Sequence, residues 1–81
     1  MEKKQIYLLT TKKADDMYKA AFCEFVDALN EFERQRQEVS NQGYTCVMNT
    51  MYDDETYVKV AKCTKGHSVV RLRLENVPLI K

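Results

Sequence analysis

The side chains richest in chemistry are three cysteines and one histidine: Cys23, Cys46, Cys63 and His67. Together they make the Cys3His count of a structural zinc site. Their spacing fits no finger or knuckle, since the donors fall in three separate stretches with no C-x-x-C pair. Cys63 and His67 flank one turn, "CTKGH". A nucleophilic Cys–His pair also needs a third, orienting group and a pocket, and a thin domain has little room for one. No metal, cofactor or catalytic site is therefore expected. An odd, dispersed cysteine set also argues against a secreted disulfide framework and for three reduced thiols. Gly43 and Gly66, the only glycines, stand in separate connections, so no Gly-rich phosphate loop can form.

A second set is basic. In "KVAKCTKGHSVVRLRL", residues 59 to 74, two strand-like runs flank a turn. A three-residue loop, Thr64-Lys65-Gly66, with Gly66 in the left-handed position places Cys63 opposite His67. Val60 then faces Val70, Val58 faces Leu72 and Thr56 faces Leu74, which gives one apolar face. A two-residue Lys65-Gly66 loop would mix the faces. The other face pairs Tyr57 with Arg73 and Lys59 with Arg71. Like charges directly across a strand pair cost a few tenths of a kcal/mol, up to about 1. The plain account is a solvated face with splayed side chains. The sharper one is a surface that seeks anions.

These residues need elements to carry them. Residues 5 to 11, "QIYLLTT", read as a strand apolar on both sides. From about residue 13 to 41 there is no Gly or Pro, and Tyr18, Ala21, Phe22, Phe25, Leu29 and Phe32 recur at steps of three and four. This predicts one long amphipathic helix of about 40 Å, with Thr11 as its cap, Gly43 as its stop and a last stretch overhanging the sheet. Residues 44 to 52, 56 to 63 and 67 to 75 read as three strands joined by "DDE" and "TKG". The tail "NVPLIK" is expected to add a short edge segment or to cover the core. The fold class is α+β, in the order β-α-β-β-β: an antiparallel sheet of about four strands with one long helix packed on one face. Residues 1 to 81 form a single domain. One helix covers one face, so the apolar side chains on the other suggest a partner surface or a homodimer seam.

The net charge of +1 conceals segregation. Residues 1 to 13 carry +3, residues 14 to 41 carry −4, residues 42 to 55 carry −3 and residues 56 to 81 carry +5. The molecule should be electrostatically two-sided. The helix carboxylates read first as a solvated face. Hydrophobic residues at 44% and charged residues at 31%, with two Gly and one Pro, are globular composition and exclude a disordered chain. No apolar run approaches a membrane span or a signal peptide, which points to a cytoplasmic protein.

By elimination the expected function is non-enzymatic binding through protein contacts: an inhibitor, adaptor or accessory subunit, of the kind phages and mobile elements also make. The expected contact residues are Tyr57, Lys59, Arg71 and Arg73, with Arg34 and Arg36 next. The alternative is a nucleic-acid-binding module in which Lys59, Arg71 and Arg73 meet phosphates while Tyr57, Tyr7 or Tyr52 stacks on bases. A pI near 7.7 and the lack of an RNP-type motif weigh against it.

Overall fold

A computed structural model describes residues 4–52 and 57–79. Five strands and one helix follow in the order β1 (Lys4–Lys13), β2 (Asp16–Phe22), α1 (Phe25–Asn41), β3 (Thr45–Tyr52), β4 (Tyr57–Lys65) and β5 (Ser68–Leu79). The sheet runs β2-β1-β5-β4-β3, with every pair antiparallel. The class is α+β with the helix on one face of the sheet, as expected, and the sheet has five strands rather than about four. The "DDE" link, Thr56 and Ile80 lie outside the described residues.

The extra strand comes from the stretch expected to begin the helix. Lys12 pairs with Met17 and Lys13 with Asp16, so Ala14 and Asp15 form a two-residue turn. Ala14 takes a positive φ of 51°, where Gly or Asn is usual. Tyr18, Ala20 and Phe22 then point to one face, while Met17, Lys19 and Ala21 point to the other. Tyr18, Ala21 and Phe22 also fit a helical period, which is why the sequence pattern did not separate the two. Thr11 consequently caps nothing. Its hydroxyl donates instead to Gln35 Oε1 at 2.5 Å, tying β1 to the helix.

Helix α1 is entered from its N-cap Glu24, whose carbonyl accepts from the Ala28 N–H. It ends where Gly43 was expected to stop it. The Tyr44 N–H returns to the Val39 carbonyl and the Gly43 N–H to the Ser40 carbonyl, a Schellman closure that needs the positive φ of Gly43, 98°. Lys65 from β4 donates to the Gln42 carbonyl at 2.8 Å, bringing positive charge to the negative end of the helix dipole. At 17 residues the helix is about 26 Å long, so the overhang expected of a longer helix is not required.

The core lies between α1 and the three central strands. Ala28 and Phe32 meet Leu9 of β1, Ala61 and Cys63 of β4, and Val70, Leu72 and Leu74 of β5. Phe25 closes one end, 5.3 Å from the ring of Tyr7 and 5.1 Å from that of Tyr57. Strand β5 runs through to Leu79 and pairs with β1 from Val70 to Leu79, so the tail extends a central strand instead of an edge. Among the described residues no helix is long and apolar enough to cross a membrane.

Candidate functional site

The β4–β5 register decides which side chains share a surface. Lys65 pairs with Ser68, so the turn is Gly66-His67, with Gly66 at φ 59° as a two-residue hairpin turn with Gly first favours. The expected three-residue loop is therefore corrected, and the pairing slips by three. Cys63 faces Val70, Ala61 faces Leu72, Lys59 faces Leu74 and Lys62 faces Arg71. An odd slip turns β4 over relative to β5. Val58 and Val60, expected in the core, lie on the open face beside Glu75 and Arg73, half-buried between their neighbours.

Lys59 and Tyr57 accordingly move to the helix side. Tyr57 stacks edge-on against Phe25, and its backbone N–H donates to Asn76 Oδ1 at 2.7 Å. Lys59 sits with its ammonium 5.3 Å from the Phe32 ring centre and 3.2 Å from Glu33, and its side chain is only 17% exposed. The stem lies on the core while the head reaches a carboxylate, so an inward lysine is tolerated. Arg36 joins the same carboxylate at 3.0 Å, and Arg34 bridges Glu31 and Glu38 along the helix. Of the expected contact residues, then, only Arg71 and Arg73 share the open face.

Those helix ion pairs shape the local acidity. Hydrogen bonds from Arg34 and Gln35 hold the Glu31 carboxyl below its ordinary value of 4.5. Burial pushes Glu33 up, but hydrogen bonds and charge from Arg36 and Lys59 outweigh it and leave that carboxyl lowered too. Glu31, Glu33 and Glu38 are in this way matched by cations of the helix and of β4.

The open face is not. Strand alternation sends Lys12 of β1, Lys19 of β2, Lys62 of β4, and Arg71 and Arg73 of β5 to the side away from the helix, where all five are exposed. Lys12 and Lys62 stand directly on either side of Arg71, so three cations lie abreast on three adjacent strands, within about 10 Å. The next row holds Lys19 and Arg73. Glu75 is the only acid on this face among the described residues, and it pairs with Arg73 at 3.1 Å. Among the described residues Lys12, Lys19, Lys62 and Arg71 have no ion pair. The basic row continues over the sheet end into a cleft of about 370 Å³ lined by Lys12, Lys13, Arg71 and His67 together with Ser68 and Tyr44.

Sequence reasoning missed Lys12, Lys19 and Lys62. The available signal was a lysine set among apolar or small residues in "MYKAA" and "VAKC"; "TTKK" carries none. The expected stacking aromatics are not on this face: Tyr7 and Tyr57 pack on Phe25, and Tyr52 points to the helix side at the β3 edge. The thiols do not assemble either. Cys46 and Cys63 are direct cross-strand neighbours, whereas Cys23 is exposed at the start of the helix. Burial, with Cys46 hydrogen-bonded beside it, pushes the Cys63 thiol up to about 12. Among the described residues no three metal-ligating side chains converge. Comparisons of the chain with family models, curated proteins and solved structures found no match.

Proposed function

We propose that this is a non-enzymatic binding module whose open sheet face docks the phosphate backbone of a nucleic-acid duplex. The observation that carries the reading is the Lys12–Arg71–Lys62 row, with Arg73 and Lys19 behind it. Each like-charged cross-strand pair costs the fold up to about 1 kcal/mol, which a row of external anions would relieve. The pI near 7.7 does not oppose this, because Glu31, Glu33 and Glu38 are paired within the helix layer, away from the open face. With no aromatic ring on this face among the described residues, stacking on single-stranded bases is disfavoured and backbone contact is favoured.

Binding of an acidic protein surface is the second reading, favoured by exposed Met17 and Val47 at the two ends of the basic row. Fluorescence anisotropy against duplex DNA, duplex RNA, single-stranded DNA and polyglutamate separates the two. Duplex binding through three to five phosphates should weaken by about 40- to 500-fold between about 50 and 200 mM salt. Binding to polyglutamate alone transfers the face to a protein partner, and binding to none of the four polyanions at the lower salt sinks both readings.

A further inference from the structure

The two edges of the sheet are guarded differently. β2 carries Asp16 and Lys19. β3, "TCVMNTMY", has no charge, proline or glycine over its eight residues, and it pairs with β4 without a bulge from Thr45 to Tyr52. Its side chains are exposed on both faces: Val47 at 63% and Met51 at 64% on the open face, Met48 at 44% and Tyr52 at 78% on the helix side. An edge strand also leaves alternate N–H and C=O groups without a ladder partner, and long uncharged edges of this kind pair with other strands.

We infer that β3 is the seam of a homodimer, in which two copies pair their β3 strands antiparallel about a two-fold axis normal to the sheet. The strand is self-complementary in the register centred on Asn49. Val47 then faces the partner's Met51, twice, on the open face, while Met48 faces the partner's Thr50 and Cys46 the partner's Tyr52 on the other. Every pair is neutral, and each exposed apolar side chain of β3 gains a cross-strand neighbour.

Charge placement is compatible with a second copy as the occupant. Across the seam the row Lys12–Arg71–Lys62–Val47 runs into the partner's Met51 and Val58, so apolar side chains separate the basic row of one copy from the charges of the other. The two copies of Arg73 lie five strand spacings apart, about 24 Å, well beyond the Debye length of about 8 Å. A two-fold normal to the sheet keeps both helices on one side and both basic faces on the other.

Sedimentation equilibrium from about 1 µM to about 1 mM tests this. The mass should climb from 9.5 kDa toward twice that value. The Val47→Lys/Met51→Lys variant sets lysine against lysine at both pairs and should stay monomeric, as should Val47→Glu/Met51→Glu. An equimolar mixture of the two should dimerise, because in the Asn49-centred register both lysines of one chain then meet glutamates of the other. Circular dichroism checks that each variant is folded, and Asn49→Lys, which opposes itself at the axis, replaces one that is not. A parent chain that remains at 9.5 kDa throughout overturns the seam. So does a lysine double variant that still dimerises, or a mixture that stays monomeric.

Discussion

The two faces of the sheet show opposite ways of handling charge. Beneath the helix, Lys59 is drawn onto Phe32 and answered by Glu33, while Arg34 and Arg36 find carboxylates one turn away. On the open face Lys12, Arg71 and Lys62 stand side by side, with one carboxylate nearby that already holds Arg73. Charge in the first region serves the fold. In the second it opposes the fold locally, and such placement is expected where a ligand completes the field.

The contrast can be broken most forcefully from the covered side. Phe32→Ala should cost about 3–5 kcal/mol, seen as a large fall in the urea midpoint, because Phe32 is the largest fully buried side chain. A shift below about 1 kcal/mol would mean that the helix is not what organises the core. On the open side, Lys62→Ala/Arg71→Ala should leave the melting temperature unchanged or slightly raised, since it removes a like-charge pair. The same variant should weaken duplex binding at least 10-fold and flatten the salt slope by about 1.8. Loss of folding in that variant would show that the two faces do not divide stability from binding.

Lys59→Ala sharpens the difference further, because it changes a cation of the same hairpin that the helix has claimed. A loss of about 1 kcal/mol in stability with unchanged affinity is expected. Ala14→Gly, at the positive-φ turn, should stabilise by up to about 1 kcal/mol, whereas a loss would mean that the turn differs from the one described here. The smallest effect is on acid stability. Glu31 and Glu33 have folded values below 4.5, so their contribution is complete above that pH and fades as pH falls through the folded values. Glu31→Gln/Glu33→Gln should therefore flatten the stability profile below about pH 4.5 and leave the open face's binding at neutral pH intact.

Much of this arrangement was legible in the sequence where one pattern dominated. Gly43 marked the helix end, Phe25, Leu29 and Phe32 marked its buried side, and the alternation around Arg71 and Arg73 marked their outward direction. Two elements were not legible, for different physical reasons. The β1–β2 turn uses Ala14-Asp15, which lacks the glycine or asparagine that usually announces a left-handed residue, and "DMYKAAF" satisfies both periods. The β4–β5 register was misjudged because Val58 and Val60 were assigned to the core. The places beside the helix instead go to Ala61 and Cys63, small enough to lie beneath it, and to Lys59, whose stem is apolar. The basic row was hidden for the same reason: its three members come from strands that are neighbours only once β1 pairs with β5.

That central pairing has a kinetic side. Gln5 and Asn76 touch across 71 positions of chain, at the middle of the sheet, while the hairpins on either side close over short loops. Hairpins of this kind form in microseconds, but the β1–β5 zipper must bear the entropy of a nearly chain-long loop before any of its contacts repay it. Folding should therefore be limited by one late event, the meeting of two preformed halves. Until that event the Lys12–Arg71–Lys62 row does not exist, so the surface that defines this molecule would be the last part of it to appear.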